Sequence, residues 1–278
     1  NKEMQIIPSD SLVITIDKEA VRRSGMMIAG DSIPDVMNIS LKGKRYVYKS
    51  EMMMLEMLAR ANWERPLYVA VTVGESNYGN LGRNFVQEGL ANRITPFNTA
   101  ESGKRMDTER MYDNLMNKFR FGGLDVPGLY IDETVMRMCQ THRRLYASLA
   151  TQLMREGQPE KAMKLVDRVQ QGMSTDNVPH CFQSGSLDIA QVMAQNGKEK
   201  EASAIVDAVE ENSRQYMAFY NSLSPDKLRN CAGEVQYNLY ILRLCAQLKK
   251  SALGVEEDKA FKHFDFFCSQ FQNKGLAM

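Results

Sequence analysis

The chain has 278 residues, 44% hydrophobic and 25% charged, with a net charge of +1. That length exceeds one ordinary core, so two domains are expected. The near-neutral charge argues against a nucleic-acid footprint and against a strong electrostatic membrane patch, and no apolar run is long enough to span a bilayer.

Leu12 to Ile16 reads as a β-branched strand, and Asp17 caps a short helix through Val21 that ends at Gly25. Residues 25–35 hold Gly25, Gly30, Asp31 and Pro34 and read as loop. Val36 to Leu41 and Arg45 to Tyr48 read as two strands joined by Lys42-Gly43-Lys44. Ser50 to Asn62 is a helix with Met54, Leu55, Leu58 and Ala61 on one face, and Pro66 forbids its return. Leu67 to Val73 is an uncharged run, expected to be a strand covered on both faces at the centre of a sheet. A polar loop from Gly74 to Gly82 follows. A short helix is expected near Arg83 to Glu88, and a last strand from Arg93 to Phe97. Residues 98–105 are polar and small and mark a domain boundary.

From Asp107 the apolar period becomes helical. Met111, Leu115 and Phe119 are spaced by four, in a helix ended by Gly122-Gly123. Asp132 caps a helix to Glu156, and Pro159 opens another that stops near Gly172. Ala150, Leu153, Gly157, Ala162 and Val166 recur as Ala190, Met193, Gly197, Ala202 and Val206 at an offset of 40. The small residues let paired helices approach closely. The pattern resembles the tetratricopeptide repeat, whose usual period is about 34. The extra residues here lie around Met173 to His180. A third pair is expected from Ser224 to Lys250 and from Glu256 to Gln272. Phe261, Phe264, Phe267 and Phe271 form a stripe on the last helix that reads as core or cap.

Chemistry is sparse. A strand followed by Gly74, Glu75, Asn77, Tyr78, Gly79, Gly82 and Arg83 has the layout of a phosphate or sugar cradle, without the spacing of a dinucleotide motif or a P-loop. Cys139 and His142 are one helical turn apart, but structural zinc needs four ligands and no second pair is near. The five cysteines, Cys139, Cys181, Cys231, Cys245 and Cys268, are dispersed and odd in number. They read as buried apolar residues and imply no disulfide framework. Asp107, Asp132 and Asp226 begin helices, where carboxylates suit free amides. No serine-nucleophile motif occurs, and His142, His180 and His263 have no local partner for a triad. No catalytic residue, metal site or cofactor is therefore assigned.

Several segments together resemble a known family. They are Val13 to Ala20, Asn62 to Gly74, Glu88 to Arg93, Met111 to Lys118, Phe121 to Gly123 and Tyr220 to Asp226. In this order they resemble the C-terminal soluble region of a family of bacterial multi-pass membrane proteins whose membrane part is similar to protein O-mannosyltransferases. The likeness runs from about Ile7 to about Leu248. It implies a periplasmic location on the outer side of the inner membrane. It also implies that membrane helices and the presumed catalytic acid lie upstream of this chain, together with a strand-rich acidic segment. Asn1, with no initiator Met or signal peptide, fits a processed or excised piece.

The expected architecture is α+β and mostly helical: an α/β lobe over 1–105 and a helical-repeat lobe over 106–278. The expected role is a non-catalytic accessory or recognition domain. It would bind a protein partner or acceptor polypeptide, not nucleic acid, and would meet the membrane only through an upstream region. The alternatives are a sugar- or phosphate-binding or enzymatic domain built on loop 74–83, and a structural spacer.

Overall fold

A computed structural model describes residues 9–26 and 32–276. The chain forms two compact units, Asn1–Asn114 and Leu115–Met278. The fold is α+β and predominantly helical, with small antiparallel sheets in the first unit and helices in the second. Among the described residues no helix is long and apolar enough to cross a membrane.

In the first unit β1 (Ser11–Thr15) pairs antiparallel with β2 (Val36–Ser40), Val13 opposite Asn38. Between them lies α1 (Lys18–Arg23), capped as expected by Asp17, whose carboxylate accepts from the amides of Glu19 and Ala20 at 3.0 Å. Residues 27–31 of the expected loop, with Gly30 and Asp31, lie outside the described residues. The expected strand over Arg45–Tyr48 is absent. Lys42-Gly43-Lys44 does turn, with the Lys44 amide on the Leu41 carbonyl at 3.0 Å, but the turn leads into α2 (Lys49–Ala61). The Tyr48 amide is taken by the Glu51 carboxylate at 3.0 Å, in the capping box that starts α2, and is not free for a ladder. Asn62 ends α2 in the left-handed conformation, and buried Trp63 donates from its indole nitrogen to the Thr15 carbonyl at 3.2 Å.

The second sheet runs β3 (Tyr68–Ala70), β5 (Ala91–Ile94), β4 (Phe85–Gln87), all antiparallel. This overturns the central place given to Leu67–Val73. Only Tyr68–Ala70 is strand, it lies at the edge, and Val69 alone within it is buried. The centre is β5, Ala-Asn-Arg-Ile, which carries a charge. Arg93 can be buried there because Glu88 and Tyr68 receive its guanidinium. The expected helix at Arg83–Glu88 is instead the end of a 3-10 turn (Gly79–Asn84) and then β4. Helices α3 (Thr99–Ser102) and α4 (Thr108–Asp113) close the unit, the latter capped by Asp107. Ile14, Met37, Leu58, Trp63, Val69, Phe85 and Ile94 share one core beneath both sheets.

The second unit is helical. Leu115 is buried as its spacing requires, as is Met111 in α4 of the first unit, but regular helix gives way to a π-helical turn over Asn114–Lys118, short of Gly122. Then come α5 (Glu133–Arg155), α6 (Pro159–Gly172), α7 (Ser186–Gln195) and α8 (Glu199–Ser222). They form two successive helical hairpins, and α5 packs on α7. The helix expected from Ser224 to Lys250 is broken. In α9 (Pro225–Asn230) the last turn closes with the Cys231 amide on the Leu228 carbonyl at 3.0 Å. The Cys231 carbonyl then starts α10 (Ala232–Ala252). In α11 (Glu257–Asn273) Phe267 and Phe271 are buried with Met217, Leu228 and Leu239, so that end of the phenylalanine stripe is core.

Candidate functional site: a tyrosine-lined groove in the helical unit

The duplicated pattern is expressed in backbone hydrogen bonds. Gly157, at φ +72°, lets Gln158 donate to Leu153 at 2.8 Å; Gly197, at φ +78°, lets Lys198 donate to Met193 at 3.0 Å. Both are helix ends closed by a left-handed glycine, followed at once by the next helix. Ala150, Leu153, Ala162, Ala190 and Ala202 are all wholly buried, and Met193 nearly so. They occupy the seams between helices. Arginine at these alanines would break packing and would not block a free surface.

The residues between the two helical hairpins have structural work of their own. Asn177 accepts from the Leu129 amide at 3.0 Å and donates to the carbonyls of Leu124 and Val126. Arg143 of α5 is fully buried and donates to the carbonyls of Val178 at 2.6 Å and Pro179 at 3.0 Å. Burial pulls its pKa down to about 10. A long apolar stem and a planar fork suit this task, because two carbonyls in a dry seam need donors.

Arg143 thereby fixes the segment Pro179–Gln183, one wall of a groove of about 580 Å³. The other walls are the start of α5 (Glu133, Arg137, Gln140), the end of α8 (Asn212, Tyr216, Tyr220) and α10 (Glu234, Tyr237, Asn238). Tyr216 and Tyr220 stack with centroids 6.5 Å apart, and Phe182 meets Tyr237 edge-on at 6.0 Å. Tyr216 and Tyr237 remain exposed. Rigid amphipathic rings beside amide and carboxylate side chains offer apolar contact and hydrogen bonds at low entropic cost.

His180 lies in this wall. Its Nδ1 is 3.0 Å from Ser186 Oγ, which is 2.9 Å from Ser184 Oγ, and Ser184 donates to the Cys181 carbonyl at 2.9 Å. Each hydroxyl has one proton, so the chain runs one way: Nδ1–H to Ser186, Ser186 to Ser184, Ser184 to the carbonyl. That tautomer leaves Nε2 as an acceptor. Burial first, and then the nearby Arg143 charge, push the His180 pKa down to about 4, so the ring is neutral at pH 7. Ser184 and Ser186 are wholly buried and lock the wall rather than face a ligand.

The glycine-rich loop is built differently from a cradle. Glu75–Asn77 and Gly79–Asn84 are 3-10 turns. Gly74, Glu75, Asn77 and Arg83 are exposed, and Tyr78 packs on Phe85 at 4.8 Å with its ring against Gly82. Gly79, at φ +51°, sits over the pair of half-buried Lys44 and buried Glu51; a side chain there would come within 2.8 Å of Glu51 Oε1. Burial works to raise the Glu51 pKa, but the bonds from Lys44 and the Tyr48 amide prevail and hold it below the usual range. The space enclosed between this loop, β2 and α2 is about 10 Å³, room for at most a single water.

Cys139 is buried, and desolvation raises its thiol pKa. His142 is ringed by Phe119, Phe121 and Tyr146, and burial lowers its pKa. Among the described residues no three His, Cys, Asp or Glu side chains converge as a metal set. Sequence reasoning missed the groove because its walls come from α5, α8, α10 and a loop. The tyrosines at 216 and 220, and those at 237 and 240, each pair one helical turn apart, are the signal that could have pointed to aromatic faces.

No curated protein and no solved structure matches the chain significantly. Residues 1–112, close to the whole first unit, match the family model described as TMEM260-associated domain 2.

Proposed function

We propose that this chain is a non-catalytic recognition part of a membrane-bound glycosyltransferase-like protein, and that the helical unit holds an extended polypeptide in the groove of Tyr216, Tyr220 and Tyr237. The observation that carries this reading is the groove itself: about 580 Å³, walled by three tyrosines and by amide and carboxylate side chains. A polypeptide needs both kinds of contact, rings for its side chains and polar groups for its backbone. The tetratricopeptide-like offset supports the same reading, since stacked hairpins commonly present such grooves. The match of residues 1–112 to a TMEM260-associated domain supports the accessory role. The resemblance to a family with a mannosyltransferase-like membrane part supports an acceptor polypeptide as the ligand, on the periplasmic side.

The test is an array of unstructured peptides probed with the whole chain, followed by titration of the best binder. Tyr216→Ala combined with Tyr237→Ala is expected to weaken binding by roughly tenfold or more, the cost of losing about 1.4 kcal/mol. Both rings are exposed, so folding should be nearly unaffected. Unchanged affinity in the double variant would count against the groove.

A further inference from the structure

A second surface is independent of the groove. The turn before α2 and the outer side of α2 expose Tyr46, Tyr48, Met52, Met53 and Met57, each more than half accessible. Met53 and Met57 are four apart and adjacent on the helix surface. Five large apolar side chains open to solvent within twelve residues mark a contact surface, since soluble surfaces scatter such groups singly.

Charge selects what covers it. Residues 42–60 hold five cations against two carboxylates, in a chain whose whole net charge is +1. Of those carboxylates, Glu51 is buried against Lys44 and Glu56 pairs with Arg60. Lys42, Arg45 and Lys49 are exposed and have no ion pair among the described residues. The overall balance conceals this local excess. Tyrosine rings favour the headgroup level of a bilayer, flexible methionines adapt to an irregular acyl surface, and unpaired cations draw anionic lipid. A second copy of the same surface would instead bring these cations face to face.

We propose that this surface rests on a lipid bilayer containing anionic headgroups, with Tyr46, Tyr48, Met52, Met53 and Met57 entering the interface and Lys42, Arg45 and Lys49 contacting the phosphates. The whole chain is sedimented with vesicles of phosphatidylcholine mixed with phosphatidylglycerol, and with vesicles of phosphatidylcholine alone. Binding is expected on the mixed vesicles, and it should weaken as salt is raised. Arg45→Glu with Lys49→Glu should weaken it about tenfold or more. Lys49 is the first residue of α2, where an acid suits the helix end, so this variant keeps the fold. Met53→Asp with Met57→Asp should abolish binding, and Met53→Gln with Met57→Gln should weaken it should the first pair disturb folding. Absence from the mixed vesicles, equal binding to both vesicle types, or full binding by the methionine variants overturns the proposal. So does a dimer in sedimentation velocity that the methionine variants dissolve, since the surface would then be a self-contact.

Discussion

Arg93 and Glu88 are buried partners, their side chains 3.1 Å apart and each about 7% exposed. Tyr68 joins them, accepting from Arg93 Nη2 at 2.6 Å and donating to Glu88 Oε2 at 2.9 Å. Arg110 adds a second guanidinium to Glu88 at 3.0 Å, and Arg93 also donates to the Gly25 carbonyl. The network ties the centre strand of the second sheet to its edge strand, to α4 and to the end of α1.

Removing one member strands the others. Glu88→Ala leaves Arg93 buried without its counter-ion, and a loss of roughly 3–5 kcal/mol is expected. Tyr68→Phe removes one hydroxyl and should cost about 1–3 kcal/mol. Urea unfolding of the whole chain, followed by tryptophan emission, reports on this unit because Trp63, the only tryptophan, lies in its core. An unchanged midpoint for Glu88→Ala would show that the network contributes nothing.

Gly172 ends α6 against the ring of Phe121. A methyl group there would lie 2.3 Å from Phe121 Cδ2, so the ring must move. Alanine gains at most about 1 kcal/mol over glycine from helix propensity. Displacing a packed ring costs about 1–3 kcal/mol, so the clash should win. Gly172→Ala is expected to lower the melting temperature of the helical unit. Added to Phe121→Ala, it should cost nothing further, and simple additivity in the double variant would refute the contact.

His180 makes the helical unit acid-sensitive. Its folded pKa of about 4 lies below the ordinary value near 6.5. The unfolded chain therefore binds the proton first. Stability is full above about pH 6.5 and falls as pH drops toward 4, by up to about 3 kcal/mol, levelling off once the folded ring also protonates. His142, also shifted down by burial, loses stability in the same direction. His180→Gln should flatten part of the slope between pH 7 and 4 in urea titrations followed by circular dichroism, and a slope identical to the parent would refute the assignment.

Arg143 is expected to act on the groove without touching a ligand. Arg143→Leu leaves the carbonyls of Val178 and Pro179 without donors, and a loss of about 2–4 kcal/mol is expected. Amide exchange at Asn177, Val178, Ser184 and Gly185, the hydrogen-bonded amides at the two ends of this wall, should rise well before the rest of the helical unit. Protection unchanged at those amides would show that the wall is held by other contacts.

Most helix positions were legible in the residues because their causes are local; the exceptions are Arg83–Glu88, which is a 3-10 turn and then β4, and Ser224–Lys250, which breaks at Cys231. Asp17, Asp107 and Asp132 cap the next amides, Pro159 sits in a first turn, and Gly157 and Gly197 close helices at matching points. The apolar spacing of α5 to α8 likewise identified which residues are buried, and on α11 it did so for Phe267 and Phe271, while Phe261 and Phe264 are half-buried. Sheet order was not legible. Leu67–Val73 carries no charge, which predicts the centre, whereas the centre is Ala91–Ile94 with Arg93. Arg93 has its counter-ion Glu88 nearby in sequence, but its burial also depends on Tyr68 and Gly25, which come from other elements, and composition within one segment does not reveal them. The same holds for Gly79, whose glycine answers to Lys44 and Glu51, and for the groove, whose tyrosines meet a loop held by an arginine from another helix. Chain-local hydrogen bonds and periodicity thus determined most of the helices, and long-range pairing of polar groups, visible only in three dimensions, decided which strand is inside and how the groove is walled.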